Sequence, residues 1–267
     1  MSYSNYYPES GLFHASLPLL MGTRMDVLLF GQDCRPLEVA WEHMEKEMRI
    51  LEKMLNRFDP SGETALLNQT ATFSAVPVSE MLWSVLVECR RYYEATDGFF
   101  DITKSDFKQI VFIDETRSVL LNQQGMTLDF GGYGKGYVLR CMRNRLEQAG
   151  IRQALINFGS SSVLALGTHP YGDNWPVGID DPSNGISLLN LRLCDTSLSV
   201  SGNTPAHPSH ILNPKTSEWI TGDRMVAIVA DDPVDAEALT TAWIASGMEN
   251  EPDWMMQFNL KNTYRIK

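Results

Sequence analysis

The sequence predicts an α+β fold built on antiparallel sheets in a single domain. Three observations carry this expectation. Helical and strand patterns are mixed without a strict strand–helix–strand alternation, and strand pairs joined by short turns recur. No linker, repeat or shift in composition divides the 267 residues, which are enough to bury a substantial core.

The elements follow in order. Residues 1–15 are polar and aromatic without clear periodicity and read as a loosely held arm, so one domain is drawn over 17–267 behind an arm at 1–16. Met25 to Phe30 reads as a strand. Pro36 to Leu55 places Leu37, Ala40, Trp41, Met44, Met48, Leu51, Met54 and Leu55 at helical spacing, which predicts an amphipathic helix. Ser61 is positioned to cap a short helix around Glu63 to Asn68, and Thr72 to Val76 reads as an extended piece stopped by Pro77.

A second long helix is predicted over Ser79 to Thr96, with Ser79 as its N-cap and Gly98 suited to its C-terminal end. Val111 to Asp114 and Ser118 to Asn122 form an expected hairpin. Ala154 to Gly159 and Val163 to Gly167 form another, separated by a serine run. Trp175 to Ile179, Ser187 to Cys194, Leu198 to Ser201 and the nearly all-apolar Met225 to Ala230 read as strands. Asp235 to Ser246 reads as a helix with Ala236, Leu239, Thr240 and Trp243 on one side.

Composition narrows the function classes. The chain is 43% hydrophobic, 21% charged and carries a formal net charge of −11. Nucleic-acid backbones need clustered Lys and Arg, so a nucleic-acid groove is not expected as its main function. Cys34, Cys89, Cys141 and Cys194 are scattered without a CxxC pair and read as free thiols in a reducing compartment. The N-terminus lacks a basic region and an apolar run of signal-peptide length, and no stretch reaches membrane-span length. The chain therefore reads as cytoplasmic, although one with its leader removed would read the same.

The stretch around which the chemistry is expected is MTLDFGGYGKGY, Met126 to Tyr137. Met126, Leu128 and Phe130 alternate as in a short strand, and four glycines with Lys135 among them follow. Glycines admit close backbone approach, and successive N–H groups can form an anion-binding nest. Tyr137 to Gln148 looks helical, so the loop lies at a helix N-terminus, another place that favours phosphate. The pattern is neither the dinucleotide fingerprint nor the P-loop.

Nine fragments in order (MGT, SGETALLN, TDGFFDIT, LDFGGYGKGY, INFGSSS, WPVGIDDP, SVSGN, HILNPKTS and AEALTTAW) give a broader match. Over about Leu17 to Gly247 the chain resembles the ApbE family, the FAD:protein FMN transferases. The resemblance implies a two-layer α+β fold related to T-fold units, FAD as substrate, a Mg²⁺ requirement, and transfer of FMN to a threonine of an acceptor protein with release of AMP. It implies flavin contacts at Met21, Gly22 and Thr23, with Asp97 to Asp101 nearby. It implies diphosphate contacts at Gly131, Gly132, Gly134 and Lys135, with Ser201 and Gly202 also contacting the cofactor. His210 and Lys135 are the implied catalytic residues; His207, close by, has no counterpart in the motif.

The implied metal ligands are the Gly134 carbonyl, Glu237 and Thr241, the last two one turn apart on a helix. The chain departs from the family pattern at several positions. Glu237 stands for the usual Asp, Asn203 and Asn213 replace carboxylates, and Ser160–Ser161 falls where Gly-Asp is common. An amide keeps hydrogen bonding but cannot act as a base. These departures favour the alternative of a flavin binder with little turnover; a hydrolase splitting FAD to FMN and AMP is a further alternative.

Overall fold

The structure is a computed structural model, and it describes residues 2–103, 105–203 and 210–266. Chain order begins with a hairpin of β1 (Tyr3–Tyr7) and β2 (Leu12–Leu20), followed by β3 (Thr23–Phe30). The residues expected as a loose arm are thus the edge of a sheet. Phe13, Ala15 and Leu17 alternate on its buried face at 1% exposure or less, and the small Ala15 hid that period.

The first helix, α1 (Cys34–Leu55), buries every apolar residue that its periodicity singled out. Gly62, not Ser61, is the N-cap residue of α2 (Glu63–Thr70); a Cβ at Gly62 would lie 2.4 Å from the Lys53 carbonyl oxygen. The Ser61 hydroxyl donates instead to Asp59 Oδ1 at 2.8 Å. Only β4 (Val76–Pro77) is extended in the segment that follows. In α3 (Glu80–Ala95) the expected cap forms, with Ser79 Oγ accepting from Leu82 N at 3.2 Å. The chain then forms the hairpin of β5 (Ile110–Ile113) and β6 (Ser118–Leu121), whose three-stranded sheet has the order β4-β6-β5.

Met126 to Phe130 alternates buried and less buried residues, as expected, yet it joins no sheet. Its backbone is satisfied elsewhere. The Asn68 side chain bonds both the N–H and the carbonyl of Leu128, and Asp129 N donates to Ile102 O at 2.7 Å. The helix after it, α4 (Gly134–Gln148), starts inside the glycine run rather than beyond it.

The remaining elements are β7 (Ala154–Phe158), β8 (Ser162–Leu166), β9 (Trp175–Asp180), β10 (Ser187–Leu193) and β11 (Thr196–Gly202). After them come β12 (Leu212–Asn213), β13 (Glu218–Trp219), β14 (Met225–Ala230), α5 (Pro233–Ser246) and β15 (Leu260–Arg265).

An eight-stranded antiparallel sheet in the order β1-β2-β3-β7-β8-β11-β14-β15 forms one layer. Helices α1, α4 and α5 pack on one face of it. The opposite face is covered over β8, β11 and β14 by the separate β9–β10 ribbon. There Trp175, Ile179, Leu191 and Leu193 pack on Val163, Ala165, Leu198, Ala227 and Val229. Residues of alternate parity, such as Leu164, Leu166, Val226 and Ile228, join the helix-side core. Burial on both faces explains why β14 reads as a continuous apolar run. Helix α5 is also buried nearly all round, not along one side alone.

Candidate functional site

A cleft of 930 Å³ lies between the N-terminal end of α4, the side of α5 from Glu237 to Ala245, and strand β9 of the β9–β10 ribbon. Its size is at the upper end for small-molecule sites. Gly131, Gly132, Lys135, Ser201, Gly202, His210, Glu237 and Thr241 all line it. Residues from four distant stretches of sequence therefore converge on one wall.

Glycines make the convergence possible. A Cβ on Gly132 would lie 2.7 Å from Thr241 Cγ2, and one on Gly136 would lie 2.6 Å from the Pro233 carbonyl oxygen. The start of α4 can thus lie directly against α5. A polar network fixes both helix starts from behind. Tyr133, the residue preceding α4, donates from its hydroxyl to Glu88 Oε2. Arg140 bonds Glu88 at 2.8 Å and forks onto Asp232, whose side chain caps α5 through Val234 N at 2.8 Å. Burial alone would lower the Arg140 pKa, but its bonds to Glu88 and Asp232 hold it well above the ordinary arginine value. Burial raises the Tyr133 phenol, which stays protonated as a donor.

Where the α4 start meets α5, the Lys135 ammonium pairs with Glu237 Oε1. Glu237 Oε2 accepts from Ser162 Oγ at 2.6 Å and from Ser199 Oγ at 2.9 Å. Ser162 and Ser199 face each other across the β8–β11 ladder, and Ser201 continues the row with a 3.0 Å bond to Thr240 Oγ1. Ser162 and Ser199 were missed as site residues, whereas Ser201 was expected there. The signal for them was polar side chains on the buried face of two strands, where apolar residues belong.

Other lining residues come from neighbouring loops. Asp101 accepts from Thr103 N and Oγ1 at 2.7 and 2.6 Å and from Phe107 N at 3.1 Å; burial outweighs those bonds and leaves its carboxyl raised above the ordinary aspartate value. Asp129 accepts from Gly131 N at 2.9 Å and pairs with Arg57, which ties down the glycine turn. Phe99 lines the cleft and carries Lys215 Nζ 4.0 Å over its ring, a second cation at this wall that the sequence did not flag. Asp180 and Asp181, read as turn residues, also line the cleft, and Asp181 does make the turn through Ser183 N at 2.9 Å.

Several expected contacts are not brought together. Met21, Gly22 and Thr23 sit at the β2–β3 turn and do not line the cleft. Met21 packs behind Gly134, with Sδ 3.5 Å from where a Cβ of that glycine would lie. Gly134 is itself buried as the first residue of α4 and is not a lining residue. Asp97 is likewise off the cleft. The stretch that includes His207 lies outside the described residues.

Asn203 and Asn213 have structural roles. Asn203 Nδ2 donates to the carbonyls of Ile220 and Gly222 at 3.0 and 2.8 Å, which a carboxylate could not do. Asn213 Oδ1 accepts from Lys215 N and Thr216 N at 2.9 and 3.2 Å, the turn that presents Lys215.

The implied Mg²⁺ ligands do not form a donor set as they stand. The one carboxylate already holds an ammonium and two hydroxyls, and the Gly134 carbonyl belongs to a buried helix start. Among the described residues no group of three His, Cys, Asp or Glu gathers as a metal site.

The model of the ApbE family matches residues 21–109 and 103–263. The chain belongs to the ApbE family. Among curated relatives, this ApbE chain is 25% identical to a FAD:protein FMN transferase of Treponema pallidum, over 90% of this chain and 80% of that one. It is 30% identical to such a transferase of Klebsiella pneumoniae over 53% of this chain, a match spanning 46% of that protein's length. The match to the Rhodobacter capsulatus transferase, also 30% identical, spans 30% of its length.

Solved ApbE structures share the fold. The Thermotoga maritima protein superposes with a TM-score of 0.79 at 20% identity, covering 96% of this chain and 89% of that one. The Vibrio cholerae flavin transferase superposes with 0.80 at 16% identity, covering 96% and 97%. No helix among the described residues is long and apolar enough to cross a membrane.

Proposed function

We propose that the chain is an FAD:protein FMN transferase that moves FMN from FAD to a threonine of an acceptor protein. The observation that carries this reading is the gathering of Lys135, the Gly131–Gly132 turn, Ser201–Gly202 and His210 around one cleft in an ApbE chain. The names of its relatives support the same reaction.

In this reading the threonine hydroxyl oxygen attacks the FMN-side phosphorus of the FAD diphosphate. A P–O bond to threonine forms as the bridging P–O bond breaks, and AMP leaves with the bridging oxygen. The threonine proton passes to an imidazole nitrogen of His210, a side chain suited to proton transfer near neutral pH. Lys135 and the N–H groups of the glycine turn stabilise the charge on the phosphoryl oxygens. The Mg²⁺ that the family resemblance implies would supply charge neutralisation at the diphosphate when bound. The acceptor need only present an exposed threonine segment to the open side of the cleft.

The test is incubation with FAD and a threonine-bearing acceptor peptide, followed by intact-mass measurement. A peptide heavier by one FMN unit, with AMP released in equal amount, supports the reading. Free FMN and AMP without adduct would make the chain a hydrolase, and unchanged bound FAD would make it a flavin binder.

A further inference from the structure

We infer that the Lys135 ammonium serves as the resident cation of the diphosphate site, so that FAD binds this chain without Mg²⁺. The inference rests on the flavin reading and begins with Glu237. Its carboxylate is 3% exposed and has one oxygen on Lys135 and the other on two serine hydroxyls. Three donors from the protein therefore fill most of the acceptor capacity of a carboxylate. A divalent ion at Glu237 would have to displace an ammonium already in contact, or share the site against its repulsion.

The side-chain length at this position matters. The resemblance to the family implies Asp here, one methylene shorter. The extra methylene of Glu237 carries the carboxylate to Lys135 and into the serine row of β8 and β11. Lys135 also lines the cleft, so the ammonium can keep Glu237 and still offer a proton to a ligand phosphate. Other lining carboxylates do not recreate a cation site. Asp101 is occupied by amides and a hydroxyl of its own loop, Asp129 by Gly131 N and Arg57, and Asp181 by Ser183, while Asp180 is exposed on β9; no three such groups gather among the described residues.

FAD binding separates the possibilities, because it needs no acceptor and no turnover. FAD is titrated into the full chain, followed by flavin fluorescence, once in EDTA and once in excess Mg²⁺. The wild-type Kd is expected to differ by less than ~3-fold between the two conditions, and that of Glu237→Asp by ~10-fold or more in favour of Mg²⁺. Calorimetry with Mg²⁺ alone is expected to show binding to Glu237→Asp and none to the wild type. Wild-type binding that needs Mg²⁺ overturns the inference and leaves the transferase reading intact. An unchanged Glu237→Asp variant also overturns it, since the reach of the glutamate would then be irrelevant. Failure to bind FAD in either condition overturns the flavin reading and this inference together.

Discussion

A Cβ on Gly136 would lie 2.8 Å from the Cβ of Glu237, so α4 and α5 cross at a separation that only glycine permits. Gly136→Ala sets two effects against each other. Alanine gains about 0.5–1 kcal/mol of helix propensity, while overpacking against helix backbone costs about 1–3 kcal/mol. Overpacking prevails because two of the three close neighbours, Pro233 O and Val234 Cα, are backbone atoms that cannot rotate away. The variant is expected to unfold at lower temperature and to bind FAD at least ~10-fold more weakly as the Lys135–Glu237 contact is pushed apart. Thermal unfolding and flavin titration check both; wild-type values in both would refute the crossing argument.

A carboxylate at position 203 should harm the protein. Asn203 is 7% exposed and donates to two carbonyls, and its Oδ1 has no hydrogen-bond partner among the described residues. Asn203→Asp would aim a charge at two carbonyl oxygens in a nearly dry place. A loss on the order of 2 kcal/mol or more is expected in chemical denaturation. A neutral or stabilising result would mean that the amide does not hold the 220–222 loop.

Asp101 gives a pH-dependent prediction. Burial, the largest influence, raises its carboxyl above 3.8 in the folded chain despite three hydrogen bonds. The fold thus favours the protonated form, and stability associated with that form is full below the unfolded value and declines as pH rises through the folded one. Asp101→Asn removes this titration and turns an amide donor towards Phe107 N–H, with an expected loss of about 1–3 kcal/mol. The advantage of wild type over variant is expected to be largest at acidic pH and to shrink on the way to neutrality. Urea denaturation across that range measures it; an advantage that grows with pH would reverse the assignment.

His210→Ala separates binding from chemistry. FAD affinity is expected to change less than ~3-fold, while adduct formation falls by roughly 10²–10⁴, the range attributed to a positioned proton-transfer group. Equal losses in both would make His210 a binding residue only.

The helices were the most legible part of the fold. The eight apolar positions of α1 were readable because it covers the sheet with one stripe. Strand identity was harder. Met126 to Phe130 has the two-residue period of a strand, but the Asn68 side chain and Ile102 take the place of a neighbouring strand, which periodicity cannot reveal. The β1–β2 hairpin went unread because the buried series in β2 passes through Ala15. Gly131, Gly132 and Lys135 of the glycine loop, His210 and Glu237, which the motif resemblance singled out, do line one cleft. The partners of Glu237 were not legible, since they depend on the β8–β11 register and on how far a glutamate reaches. The partners of Asn203 were not legible for a similar reason: what a side chain bonds cannot be inferred from its place in a motif.

The β9–β10 ribbon forms the other wall of the cleft, yet it shares no ladder with the main sheet. It rests on side chains such as Trp175, Leu191 and Leu193, which act as spacers beneath it. The gap is therefore gauged by side-chain volume and not by strand register. Trimming or enlarging a spacer would narrow or widen the slot by fractions of an ångström while every backbone pairing stayed in place. Ligand fit in this chain can thus drift through apolar substitutions far from any residue that touches the phosphate.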